Sequence, residues 1–213
     1  MNKPFLHISL FLIQFFLHMN IFSMVHNKES VIPDRHIETA KNLKQAIEDN
    51  DVAQVALLLR TQGAELIKYA INGYPYTHRC ITNNRPAILN DLLAAGANPN
   101  EYDCRGWTPL HAAANEGKAD AIEILLSHGA DPDNLTLNII RLTPLMLVTV
   151  SDIRVNLNPF ETARLLLDAG ADPSKTNSKG LTIAQLAKTC NNSERAMRLI
   201  LFIQTYVAKR MIP

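Results

Sequence analysis

Between Arg105 and Gly117 the chain reads RGWTPLHAAANEG, placing a guanidinium, an indole, an imidazole and a carboxylate within thirteen positions. Such a set invites a catalytic reading. His111 as a general base needs a nucleophile or an acid partner beside it in a pocket. No nucleophile elbow of the G-x-S-x-G type, no H-E-x-x-H and no glycine-rich phosphate cradle occurs anywhere in the chain. His128 and the N-terminal histidines stand at no metal-ligand spacing from Cys, Asp or Glu, and GADPDN lacks the rest of a calcium loop. Cys80, Cys104 and Cys190 are an odd set at wide spacings, fitting neither a disulfide framework nor a C-x-x-C pair. The residue types therefore predict no enzyme, no metal and no cofactor.

The elements that carry these residues show themselves through punctuation. Gly63, Gly96 and Gly129 recur every 33 residues, each followed by Ala, and Gly170-Ala171 repeats the phrase after 41. Pro99, Pro132 and Pro173 keep the same register. A fixed period of this length marks a repeat architecture. Within one period, KADAIEILLSHGAD sets Ala121, Ile122, Leu125 and Leu126 at i, i+1, i+4 and i+5, one face of an α-helix ended by Gly129. The same helix recurs in VAQVALLLRTQGAE, PAILNDLLAAGAN and ETARLLLDAGAD. Ahead of it lies a shorter helix, opened in the third unit by Thr108 as N-cap and Pro109 at the first helical position.

Thr108-Pro109-Leu110-His111-Ala112-Ala113 resembles the T-P-L-H-x-A signature of ankyrin repeats at that family's period. The resemblance implies an all-α solenoid of helix-turn-helix units, with a β-hairpin finger projecting from each junction and a concave face built of fingers and inner helices. It also implies that His111 anchors the neighbouring finger's backbone, a role that His78 shares by register. Five units fit, at about 37–69, 70–102, 103–135, 136–176 and 177–210, after a linker at 27–36.

Departures from the pattern are informative too. The first unit resembles a terminal cap and the fifth a closing cap, as repeat arrays require. GYPYTHRC in the second unit keeps Gly73 and His78 but loses Thr-Pro-Leu, so an irregular inner helix is expected there. The fourth unit has Met146 in the histidine place, about two extra residues before Thr143 and about six near 151–160. Lengthened loops of an array tend to gather on its binding face.

What the pattern leaves free is where binding is expected. Carried over by resemblance, the variable positions are Cys104, Arg105, Trp107, Asn115 and Glu116 in the third unit. The second unit supplies Ile71, Asn72, Tyr74, Thr82 and Asn83, and the fifth Ser178, Lys179, Leu181, Thr189 and Cys190, with Tyr102 between fingers. Trp, Tyr and Arg dominate binding hot spots. Tyr74, Tyr102, Arg105, Trp107, Asn115 and Glu116 are therefore the expected partner-binding set. The competing reading has the aromatic members packing on neighbouring fingers.

Charge adds a limit: 21 Lys and Arg nearly balance 20 Asp and Glu, giving a net charge of +1. No bulk field points to nucleic acid or to an anionic membrane. The N-terminus differs in kind from the rest. Phe5 to Val25 carries no Asp, Glu, Lys or Arg, and fifteen of its twenty-one residues are Phe, Leu, Ile, Met or Val. Such a run, preceded by Lys3, reads as a hydrophobic helix: a cleaved signal peptide, an uncleaved membrane anchor or a buried helix of the fold. The expected whole is a monomeric, non-catalytic binding protein with a protein partner and no nucleic acid, secreted, periplasmic or membrane-anchored through residues 5–25. The alternatives are an exported effector docking on a host protein, or a regulatory or inhibitory subunit that uses the 151–160 insert.

Overall fold

The computed structural model describes residues 34–62, 64–68, 74–151, 158–189 and 193–210. The hydrophobic run at 5–25 lies outside these residues, as do Ile71, Asn72, Cys190 and positions 152–157 of the insert. Ten α-helices occur among the described residues, in five antiparallel-type pairs joined by short turns. The first pair is α1 (Asp34–Asp49) with α2 (Val52–Gln62), followed by a 3₁₀ turn at Ala64–Lys68. Then come α3 (Tyr76–Thr82) with α4 (Pro86–Ala94), and α5 (Pro109–Glu116) with α6 (Ala119–Ser127). The last two pairs are α7 (Pro144–Val150) with α8 (Pro159–Asp168), and α9 (Ile183–Thr189) with α10 (Ser193–Arg210). Helix α1 starts at Asp34, three residues inside the expected linker. No helix among the described residues is long and apolar enough to cross a membrane.

Local chemistry explains where helices begin and end. The Thr108 hydroxyl accepts the His111 N–H at 3.4 Å, while His111 Nδ1 accepts the Thr108 N–H at 3.2 Å, a reciprocal cap in which the imidazole does the work usually given to Glu or Gln. Thr143 caps α7 with its hydroxyl alone, accepting the Met146 N–H at 3.2 Å with no bond returned. At the other ends, the Gly-Ala phrase has a structural reason. Gly129 N–H donates to Leu126 O and Ala130 N–H to Leu125 O, with Gly129 at φ +84°. That is a Schellman closure, and Gly96-Ala97 and Gly170-Ala171 repeat it bond for bond. Ala97, Ala130 and Ala171 are each buried, so the phrase ends the helix and then turns a methyl inward.

Each helix packs on its partner and on its counterpart in the next pair. One continuous core results, through Leu43 and Ile47, Ile88 and Leu92, Leu110, Ile122 and Leu125, Leu145, Leu166, and Leu199. No pair has enough apolar surface to fold alone; stacking supplies the rest. The second unit's inner helix α3 is a regular helix, contrary to the expectation of irregularity, because Tyr76, at the place of Pro109, is buried in the core and donates its hydroxyl to Ala40 O. What the lost Thr removes is the cap: no side chain caps α3.

The fingers need one correction. They are not β-hairpins, since no strand occurs among the described residues; one isolated antiparallel bridge pairs Thr176 with Thr182. Each of these fingers is a tight turn closed by one backbone bond and its side-chain return: Asp103 N–H to Trp107 O, Thr136 N–H to Leu142 O, and Asn177 N–H to Leu181 O, with the second residue's N–H given back to the first residue's side-chain oxygen. So few residues separate the closing groups that a ladder has no room to extend. The turns link instead to one another, by Leu137 N–H to Gly106 O at 2.8 Å and Ser178 N–H to Ile140 O at 3.0 Å.

Candidate functional site

Asp103 organises the third finger. Its carboxylate is 3% exposed, and Oδ1 accepts the N–H groups of Arg105 and Trp107, each at 2.9 Å. Oδ2 accepts Arg105 Nε at 2.8 Å. A buried carboxylate satisfied in this way holds the turn and aims the arginine. The Arg105 guanidinium lies 5.0 Å from the Trp107 ring centre and 5.4 Å from that of Tyr74, and its Nη2 donates to the Tyr74 hydroxyl at 3.0 Å. Arg79 approaches Tyr74 at 5.5 Å, and the His78 ring meets it edge-on at 5.7 Å. Tyr74, Arg105 and Trp107 thus form one cation–π cluster across the second and third units, with Arg105 half exposed. Each such contact is worth about 0.5–1 kcal/mol at an exposed site.

The remaining residues of the expected set lie elsewhere or are engaged. Tyr102 is not part of the cluster: its hydroxyl donates to Asn134 Oδ1 at 2.7 Å and Leu135 O at 3.1 Å, fastening its finger to the next. Its ring stays half-buried at the junction of the two fingers. Asn115 Oδ1 accepts the Ser151 hydroxyl at 2.8 Å, and Glu116 is half-buried at the end of α5. Burial pushes the Glu116 carboxyl above the usual range, with Lys118 and Arg105 opposing. Thr82 and Thr189 turn their hydroxyls back onto their own helices. Cys104 is an exposed free thiol, Asn83 ends α3, Leu181 is half-buried and Lys179 is exposed.

His111 cannot serve as a surface base. The ring is fully buried, Nε2 lies 2.9 Å from Leu142 O in the next finger, and Nδ1 faces Thr108. Burial holds its pKa down at about 4. His78 likewise sits 2.9 Å from Trp107 O, and burial lowers its pKa; its Nδ1 has no partner, because Pro75 stands where the third unit has Thr108. Among the described residues, no group of three or more His, Cys, Asp or Glu gathers to hold a metal ion.

Two features escaped the residue-type reading. Asp103 carries no chemical motif of its own, although an acid two positions before Arg105 is an Asx-turn signal. At the fourth fingertip, Ile139 is 74% and Ile140 44% exposed. The signal for them was the two-residue lengthening before Thr143.

Comparison with known proteins agrees with this geometry. The pattern described as ankyrin repeats, in three copies, matches residues 77–177. A glycerophosphocholine phosphodiesterase of Schizosaccharomyces pombe is 30% identical over 147 residues, covering 68% of this chain and 12% of that protein. Protein phosphatase 1 regulatory subunit 27 of Homo sapiens is 32% identical over 87 residues, covering 41% of this chain and 56% of that protein. A putative ankyrin repeat protein of fowlpox virus is 31% identical over 128 residues, covering 60% and 28%. The chain therefore spans between an eighth and little more than half the length of these relatives.

Proposed function

We propose that this chain, which belongs to the ankyrin repeat proteins, binds a protein partner along the face made by its fingers and inner helices. Its repeats run through the five units set out above, from about residue 37 to residue 210. Ankyrin repeats are generally a non-catalytic, protein-binding family, and the match to a phosphodiesterase takes in only 12% of that enzyme. The observation that carries the reading is the Tyr74–Arg105–Trp107 cluster. It gathers three hot-spot residue types at the junction of two units and leaves the guanidinium half exposed. Asn115 and Glu116, at the inner-helix end of the same unit, extend the contact surface.

The test is a Tyr74→Ala/Trp107→Ala double variant set against the parent protein in quantitative affinity capture. Partners taken by the parent should be lost by at least tenfold, the change expected when about 1.4 kcal/mol of hot-spot energy is removed. Undiminished capture by a variant with an unaltered far-UV spectrum eliminates this face.

The likeness to a phosphatase regulatory subunit favours a second reading, a regulatory subunit that docks on an enzyme. Co-purification with a phosphatase catalytic subunit tests it, and failure to co-purify removes it. The composition of residues 5–25 supports delivery to or across a membrane, with secretion, periplasmic residence or anchoring as the end state. Sequencing the mature N-terminus separates cleavage from retention.

A further inference from the structure

The fingertips carry a charge pattern that the chain as a whole does not. Within the spans 103–108, 136–142 and 176–182 the sole acid is Asp103, which is buried and bonded to its own turn. The same spans present Arg105, Arg141 and Lys179 to solvent, with Ile139 and Ile140 exposed between them. Backbone bonds from Leu137 N–H to Gly106 O and from Ser178 N–H to Ile140 O hold the three tips side by side in one row. The Ser178 hydroxyl adds a bond to Ile139 O at 2.6 Å. Exposed acids lie outside these three spans, at Asp131 in the loop before the fourth finger, at Glu38 and Asp49 on α1, and at Asp120, Glu123, Glu161, Asp168 and Glu194 on the outer helices, where Arg164, Arg198 and Arg210 pair with the last three. The three tips are thus locally basic in a chain of net charge +1, whereas the outer helices carry both signs.

From this pattern we propose that the fingertip row binds an extended acidic segment of the partner protein, in which carboxylates recur every third residue with apolar side chains between them. The spacing follows from geometry. Packed helices stand ~8–10 Å apart, so successive tips do too, and an extended peptide in the polyproline II conformation advances ~3.1 Å per residue and turns every third side chain to the same side. Three residues of the ligand therefore pass from Arg105 to Arg141, and three more from Arg141 to Lys179. The two isoleucines between those cations offer ~25 cal/mol per Å² to whatever apolar group covers them. Three cations interrupted by exposed aliphatic side chains suit a peptide better than a phosphate backbone, which asks for an unbroken basic stripe.

This inference rests on the partner-binding reading of the finger face, and its test is built to fail separately. The probe is a fluorescein-labelled synthetic peptide, four copies of Glu-Leu-Ser, titrated with the full-length protein at 150 mM salt and read by anisotropy. Controls are the Gln-Leu-Ser peptide, a peptide of equal composition with its four glutamates in one block, and a twelve-residue oligothymidylate. The spaced acidic peptide should bind on the order of tenfold tighter than the Gln version, the sum expected of three exposed ion pairs. Its affinity should fall about as far with Arg141→Glu/Lys179→Glu, and several-fold with Ile139→Ser, all at exposed sites away from the core. Equal binding of the blocked peptide reduces the effect to bulk attraction and overturns the proposal, as does tighter binding of the oligothymidylate. Should these variants leave capture of natural partners intact while Tyr74→Ala/Trp107→Ala abolishes it, the fingertip row is refuted and the cluster stands.

Discussion

Acid should weaken this fold through its buried histidines, and the size of the effect follows from one ring. His111 Nδ1 accepts the Thr108 N–H, so the proton of the neutral ring is on Nε2, where it is donated to Leu142 O. Protonating Nδ1 would set two N–H groups against each other inside the core. Burial is the main reason its pKa drops from 6.5 to about 4. A folded-state value below the unfolded one means that the unfolded chain takes up the proton first. Stability from this group is complete above pH 6.5 and is lost as pH falls towards 4, at ~1.4 kcal/mol per pH unit, or roughly 2–3 kcal/mol between pH 7 and 4.5. His78 shifts in the same direction, facing Asp103 and Arg105, and adds to the loss. Glu101, Glu116 and Asp133 oppose it, because burial raises their carboxyls and the folded chain then protonates ahead of the unfolded one. A difference measurement isolates His111. Urea unfolding of the parent and of His111→Gln at pH 7 and pH 4.5 should show the parent's advantage shrinking by roughly 2–3 kcal/mol. An advantage that stays constant to within ~0.5 kcal/mol would mean that the ring is not held neutral by the fold, and the tautomer argument fails with it.

Three further outcomes are expected from denaturation at pH 7. Leu125→Ala, at a fully buried position of α6, should cost about 2–5 kcal/mol, and a loss below about 1 would mean that the helix is not packed as described. Gly129→Val should destabilise by about 1–2 kcal/mol through the left-handed backbone at φ +84° alone, since a Cβ there meets nothing within 4 Å; Gly129→Asn should cost markedly less. Thr108→Ala should cost about 1–3 kcal/mol, more than Thr143→Ala at about 1, because only the first also removes a buried hydroxyl that stands 2.7 Å from His111 Nδ1; equal losses would deny that link.

Much of this fold is written in short-range chemistry and so was legible. The Gly-Ala phrase specifies a Schellman closure, Thr-Pro a capped first turn, and the spacing of Ile122 and Leu125 a buried face; each needs only neighbours within about six residues. The site is another matter. Residue type pointed to Tyr74, Tyr102, Arg105 and Trp107 alike, yet the first, third and fourth form a cluster while Tyr102 spends its hydroxyl on Asn134 and Leu135, 32 and 33 residues away. Nothing local distinguishes two tyrosines whose fates are decided by what the following unit presents. The same holds for His78 and His111. Identical in register, they differ because Pro75 cannot offer the hydroxyl and the N–H that Thr108 gives, leaving one ring nitrogen without a partner beside the proposed binding cluster. In a repeat array the period reveals scaffold because scaffold repeats. Function lies in the departures, Pro75 and Tyr74 in one unit and the lengthened Ile139–Ile140 tip in another, and a departure acquires its meaning only from the unit stacked beside it.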